Sequence, residues 1–242
     1  MPLVILIHGY GSSGANHDAY LGMSKATNAR GVILAIPDGT RDHTGKLYWN
    51  ATDACCDFDN VPVDDVAYLD AIIADVSLKQ HVDPARVYLI GHSNGAFMAH
   101  RYACERSDRV AAIVALSGVP WADMAKCQAG PAVSVLQVHG DADRVIEYGG
   151  GKSFGNGAAY PSAEATVAMW AARDGCSKTR HESDSAFHLD QDVPGNETVR
   201  EAYTCPAGVD VALWRMRGSG HVPRFGARFA AAALDFLLRY RR

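Results

Sequence analysis

Gly91-His92-Ser93-Asn94-Gly95 is the stretch whose reading decides the fold. Before it stands Arg86-Val87-Tyr88-Leu89-Ile90, rich in β-branched, aromatic and other apolar residues, and after it Ala96-Phe97-Met98-Ala99-His100-Arg101-Tyr102-Ala103, which has no helix breaker. The pentapeptide therefore joins a strand to a helix. A G-x-S-x-G pattern in that setting places its serine on a sharp, strained turn, with the hydroxyl raised above the end of a sheet. Glycine at both ends removes the Cβ atoms where strand and helix crowd the turn. The helix that starts after Ser93 directs free amide hydrogens toward anything the hydroxyl attacks, which makes the Asn94 amide a candidate oxyanion donor.

Working outward, the chain alternates strand and helix. Leu3–Ile7 is a strand ending in the loop His8-Gly9-Tyr10-Gly11-Ser12-Ser13-Gly14. A helix is expected from about His17 to Arg30, stopped by Gly31, and then a strand over Val32–Ile36. Residues 37–62 read as a long polar loop carrying Tyr48, Trp49, Cys55, Cys56 and Phe58. Val63, Val66, Leu69, Ile72, Ile73 and Val76 recur at helical spacing, with Asp64 and Asp65 suiting the dipole of the first turn. Strands follow over Val110–Leu116 and Ala132–Val138, then a helix over Ala163–Arg173 with Ser162 as its N-cap. A polar excursion over 177–197 precedes two β-prone runs, Thr198–Thr204 and Val209–Met216, and a last helix over about Arg224–Tyr240. This is the pattern of one α/β domain spanning residues 1–242, a mostly parallel sheet covered by helices on both faces.

A serine hydroxyl needs a base, and the base needs a group that fixes its tautomer. In hydrolases built around such an elbow these partners follow in the order Ser, acid, His. His221, in a Gly-Ser-Gly-His turn past the final strand, is the expected base. His181 and His188 lie in the polar excursion with no strand to aim them. Asp141 and Asp143 both follow the strand Ala132–Val138 and are the candidate acids; Asp143, farther into the loop, can turn toward a histidine delivered by the next strand, and is preferred partly on a family resemblance. His8, His92 and His139 read as residues that brace their turns. The second oxyanion amide is expected at Tyr10, directly after His8-Gly9. Tyr10, Trp49, Phe97 and Trp121 are candidates to line an acyl or aryl pocket, with core packing as the competing role.

A net charge of −4 with no Lys/Arg cluster gives no footprint for nucleic acid. The apolar runs fall far short of the ~20 residues that span a bilayer, so no membrane association is expected. Asp53, Asp57, Asp59 and Asn60 lack a calcium-loop pattern, and Gly149-Gly150-Gly151-Lys152-Ser153 lacks the leading glycine of a phosphate loop, so neither a metal nor a cofactor is expected. Six cysteines without metal-type spacing point to disulfides and an oxidising compartment. Cys176–Cys205 is the favoured pair; Cys55 and Cys56 are expected to be tied to Cys104 and Cys127. Met1-Pro2 enters the first strand at once, so the chain reads as a mature or trimmed form of a secreted or periplasmic protein, expected to be monomeric.

The ordered set His8-Gly9-Tyr10-Gly11, Trp49, Cys55-Cys56, Val63-Asp64-Asp65-Val66, Asp83-Pro84-Ala85-Arg86-Val87-Tyr88, Gly91–Ala96, Ala103-Cys104, His139–Asp143 and Gly220-His221 resembles the secreted polyhydroxybutyrate-depolymerase-like and feruloyl-esterase-like esterases. The resemblance covers nearly the whole chain. It implies an α/β-hydrolase fold and cofactor-free hydrolysis of carboxylic esters, either feruloyl- or acetyl-type small-molecule and polymeric esters or polyhydroxyalkanoate-like polyesters. Aryl polyesters are an alternative substrate of the same chemistry. A hydrolase-fold binding protein without turnover and a serine peptidase are the competing classes. Two features depart from the family. The usual β-structure ahead of Leu3 is missing, so the sheet is expected to lack its N-terminal antiparallel edge, and Val222-Pro223 stands where an aromatic residue usually precedes the proline.

Overall fold

The computed structural model describes residues 1–127, 130–152 and 157–242. In chain order the elements are β1 (Leu3–Ile7), α1 (Gly14–Leu21), α2 (Met23–Asn28), β2 (Ile33–Ala35), β3 (Thr40–Arg41), β4 (Leu47–Tyr48), α3 (Asp65–Lys79), β5 (Val87–His92), α4 (Asn94–Glu105), β6 (Ala112–Leu116), β7 (Ser134–Gly140), β8 (Gly151–Lys152), β9 (Ala159–Tyr160), α5 (Ala163–Arg173), β10 (Arg180–Phe187), β11 (Thr198–Tyr203), β12 (Val211–Met216) and α6 (Ala227–Leu237). Ser153, the end of the glycine-rich run singled out above, lies outside the described residues.

The main sheet has the order β10-β11-β12-β7-β6-β5-β1-β2. From β12 through β7, β6, β5 and β1 to β2 every pairing is parallel; β10 and β11 add an antiparallel end. On the other side the sheet ends at β2, parallel to β1. Alternation along the strands builds two cores. Leu3, Ile5, Ile7, Leu89, Ile113, Val135 and Leu213 face one way, packed with Val66 and Leu69 of α3, Phe97 of α4 and Trp170 of α5. Val4, Leu6, Ile90, Val114, Leu136 and Met216 face the other, packed with Leu21 of α1, Met23 of α2 and Phe229 of α6. Period-two alternation with both faces apolar is what a parallel sheet sandwiched between helices requires.

Strand order reverses between β1 and β5, since the chain runs outward from β1 to β2 and in the opposite direction from β5 through β6 and β7 to β12. In open α/β sheets the crevice at such a switch point, outside the carboxyl ends of the strands, is where ligands bind. Ser93 and the loop after β1 meet there.

Four expectations need correction. The helix expected over His17–Arg30 is two helices, because Gly22 takes φ 69° and its amide donates to Asp18 O at 2.7 Å, closing α1. The loop 37–62 holds a short hairpin, β3 with β4. The polar excursion contains a real strand, β10, carrying His181; its side chains are largely outside the core, so only the backbone ladder to β11 records it. Cys176 pairs with Cys205 as expected, but Cys104 pairs with Cys127 and Cys55 with its neighbour Cys56. The Cα atoms of Cys104 and Cys127 stand 4.8 Å apart, within reach of one bridge between α4 and the loop after β6.

Asp65 also does more than face a helix dipole. Asp64 is the N-cap, accepting from the Ala67 amide at 2.9 Å, while Asp65 is buried and accepts the Asn50 amide at 2.6 Å. Burial raises its carboxyl to about 6, partly opposed by that hydrogen bond and by Arg101. An acid whose pKa is higher folded than unfolded favours the fold at low pH, and this contribution is lost as pH rises from about 4 through about 6. Asp65→Asn keeps the acceptor and removes the charge, so denaturant unfolding at pH 8 should show it more stable than the parent by about 2 kcal/mol, the gain vanishing near pH 4.

Candidate active site

The elbow is built from close backbone packing. A Cβ on Gly91 would lie 2.2 Å from Gly95 O, and one on Gly95 would lie 2.1 Å from Ile7 O. Only glycine lets α4 rest against β5 and β1 at this point. Gly95→Ala should therefore cost about 3 kcal/mol or more in urea unfolding, because the obstacle is strand backbone that cannot step aside. Ser93 itself sits at φ 54°, ψ −124°, a strained conformation held by its neighbours: its amide donates to Leu116 O at 2.8 Å and its carbonyl accepts from Ala96 and Phe97.

Three sequence-predicted residues come together on this frame. His221 Nε2 stands 3.0 Å from Ser93 Oγ, and His221 Nδ1 donates to Asp143 Oδ2 at 2.8 Å. The tautomer follows, because a carboxylate can only accept: the proton is on Nδ1 and Nε2 is free to take the serine proton. Asp143 is 5% exposed. Burial pushes its carboxyl up, but the N–H groups of His139 and His221 and the Val145 amide outweigh this and hold it far below the usual carboxylate range. Asp141 is engaged elsewhere, accepting the Gly218 amide at 2.7 Å and Arg215 Nε at 3.0 Å, which ties β12 to β7.

The loop after β1 lies against the serine: a Cβ on Gly9 would stand 3.4 Å from Ser93 Cβ. The hydrogen bonds of the described residues leave the backbone amides of Tyr10 and Asn94 without an acceptor, although the next amide, Gly11, donates to Leu47 O at 2.8 Å. Asn94 opens α4, where the first amides have no partner within the helix. His8 fixes the loop, its Nδ1–H donating to Gly9 O at 2.8 Å and its Nε2 accepting the Gly39 amide at 3.0 Å. Burial lowers its pKa, which favours this neutral form.

Side chains of the elbow itself brace the site, His92 as the sequence suggested. His92 Nε2–H donates to His221 O at 2.9 Å, and burial lowers its pKa to about 4, so it stays neutral while holding the backbone carbonyl of His221. The Asn94 side-chain carboxamide exchanges hydrogen bonds with the Trp49 backbone, its Oδ1 accepting from the Trp49 N–H at 2.7 Å and its Nδ2 donating to Trp49 O at 2.9 Å. The expected pocket aromatics divide. Trp49 and Phe97 are fully buried, and the Trp49 indole donates to His8 O at 3.0 Å, so both are core residues, correcting the pocket role. Tyr10 is half-buried, its hydroxyl donating to Asp42 Oδ2 at 2.6 Å and its ring edge-on to Phe58. Trp121 lines a cavity of about 570 Å³ with Cys55, Cys56, Phe58 and Arg101, beside the elbow but not bounded by Ser93 or His221. His188 donates from Nδ1 to Glu197 at 2.7 Å and is remote from this cluster.

Comparison with known proteins gives a consistent picture. The sequence model of the alpha/beta hydrolase fold matches residues 2–146. Feruloyl esterase B of Piromyces equi is 30% identical over 228 residues, which is 91% of this chain and 39% of that protein. The putative esterase NocK of Nocardia uniformis subsp. tsuyamanensis is 31% identical over 149 residues, 62% of this chain and 42% of its own length. The chain thus spans about two fifths of these curated relatives. Among solved structures, acetyl xylan esterase from Aspergillus awamori superposes with a TM-score of 0.69 at 15% identity, covering 98% of this chain and 89% of that one. That likeness speaks for the fold alone.

Proposed function

The chain belongs to the alpha/beta hydrolase fold family, and from that premise we propose that it is a serine carboxylic-ester hydrolase working through an acyl-enzyme on Ser93. The observation that carries the proposal is the continuous line Ser93 Oγ, His221, Asp143 at 3.0 and 2.8 Å, together with the Tyr10 and Asn94 backbone amides, which have no acceptor among the described residues. In this reading Ser93 Oγ attacks the ester carbonyl while His221 Nε2 takes its proton. The negative charge that develops on the carbonyl oxygen is met by the amides of Tyr10 and Asn94, and Asp143 steadies the imidazolium. His221 then passes the proton to the departing alkoxide. Water, deprotonated by the same nitrogen, releases the acid and restores Ser93.

For the substrate we propose feruloyl- or acetyl-type esters. The relative named for feruloyl esters supports the aryl end of this class, and the half-buried Tyr10 ring, edge-on to Phe58, offers an apolar wall for an acyl or aryl group. Three disulfides support a secreted or otherwise oxidising setting. The test is a panel of p-nitrophenyl acyl esters with methyl ferulate. Turnover of one or more of them supports the reading, and the preferred acyl group selects between the acetyl and aryl classes. Background rates throughout, with the protein folded, would favour a binding protein instead.

A further inference from the structure

We infer that His139 is a positioning residue for Asp143, and that its proton is placed by a buried relay that begins at Trp170. The inference rests on the esterase reading of Ser93, His221 and Asp143 and adds to it what holds the acid.

Every proton in the relay can be assigned, because its ends are groups with a single role. The Trp170 indole N–H is a donor only, and it meets His100 Nδ1 at 3.0 Å. His100 must therefore carry its proton on Nε2, which donates to Gln137 Oε1 at 3.0 Å. That fixes the Gln137 amide: its Nε2 donates to Gly118 O at 3.0 Å and to His139 Nδ1 at 3.2 Å. A carbonyl can only accept, so the orientation is confirmed from the far side. His139 is thus neutral with its proton on Nε2, which donates to Ile146 O at 2.8 Å and faces Asp143 Oδ2 at 3.5 Å. Asp143 Oδ2 is the same oxygen that receives His221 Nδ1–H. The other oxygen, Oδ1, takes the amides of Val145 and Ile146 at 2.8 and 3.0 Å.

Trp170, His100, Gln137 and His139 are all fully buried, on three different elements. A linked set of polar side chains in a core is costly unless every member is satisfied, and apolar residues of similar volume would pack the same space with less risk. This one is satisfied throughout and ends at the acid of the site. Burial lowers the His100 pKa to about 4, which keeps the relay uncharged at neutral pH. The titratable and charged groups near His139 are Asp143 and His221 on the site side, with His92 behind His221 and Tyr160 near Asp143. Tyr148 stands edge-on at 5.8 Å, with Arg215 over its ring and Asp141 paired to that arginine, and His100 lies across Gln137.

The consequence is a directed dipole. The His139 N–H offsets part of the charge on Asp143 Oδ2 and fixes the carboxylate plane, so removing it leaves more negative charge facing His221 and a looser aim. His139→Phe should lower kcat by about 10²-fold with KM nearly unchanged. Because the imidazolium is then better stabilised, the acid limb of kcat/KM should move to higher pH by about 0.5 to 1 unit. His139→Gln, whose amide N–H can reach Ile146 O and Asp143, should recover most of kcat and return the limb. Trp170→Phe, remote from Ser93, should move the limb in the same direction by a smaller amount. A readout independent of turnover is the low-field proton resonance of His221 Nδ1–H, expected to shift in His139→Phe and in Trp170→Phe. If wild-type turnover is present but neither the limb nor this resonance moves, His139 is a packing residue and the inference falls; should His139→Phe not fold, the same two readouts in Trp170→Phe decide. If the wild-type protein hydrolyses no ester but the resonance still moves, the relay stands and the esterase reading fails.

Discussion

Ser93→Ala is expected to lose about 10⁵ to 10⁶ in kcat on whichever ester of the panel is turned over fastest, with KM nearly unchanged. The size follows from the division of work at the site. Under the proposed mechanism the alanine methyl cannot form the acyl bond, so the stepwise route through Ser93 closes, and only the proposed oxyanion amides of Tyr10 and Asn94 and substrate binding remain to speed direct attack by water. The fold should not suffer. Among the described residues Ser93 Oγ makes one hydrogen bond, to His221, while the elbow is held by the Ser93 amide and carbonyl, which alanine retains. A loss near tenfold, with the variant folded, would mean that another group is the nucleophile.

The second large effect separates two carboxylates only two residues apart. Asp143→Asn should cost about 10⁴ in kcat, because an amide NH₂ facing His221 Nδ1 forces the imidazole into the tautomer with its proton on Nε2, where it cannot take a proton from serine. Asp141→Asn should leave kcat within a few-fold. Asp141 is committed to Gly218 and Arg215, so its loss falls on the junction of β7 and β12 and appears as stability, on the order of 1–2 kcal/mol in denaturant unfolding. The reverse ranking of the two variants would exchange their roles.

How far the sequence revealed this arrangement depends on whether a residue's role leaves a local trace. The elbow was legible because its two glycines and the flanking strand and helix are local, and the structure supplies the reason as contacts of 2.1 to 2.2 Å that a Cβ would make. That a histidine and an acid would meet Ser93 was legible from chain order, each just past the end of a strand, and the family resemblance helped to favour Asp143 over Asp141. The two-faced sheet was legible in the runs at Leu3–Ile7 and Ala112–Leu116, where both faces are apolar. Strand β10 was not, since Arg180–Phe187 buries little and owes its conformation to the β11 backbone. The Gly22 break was hidden because a lone glycine inside a helical pattern can either be tolerated or terminate the helix. Trp49 could not be placed between its two roles because a tryptophan in a long loop reads alike whether it faces a ligand or, as here, plugs the core under His8. Gln137 and His139 illustrate the deeper limit: polar residues two apart on a buried strand can be recognised as one relay only when His100 of α4 and Trp170 of α5 are seen to meet them.

The measurement that tests the central claim most directly is intact-mass and peptide analysis after exposure to a serine-reactive organophosphate at neutral pH, with Asp143→Asn alongside. The account predicts one adduct per chain, carried on the peptide that contains Ser93, formed rapidly in the parent protein and far more slowly in Asp143→Asn. A parent protein that stays unlabelled, or an adduct on a different residue, would contradict it.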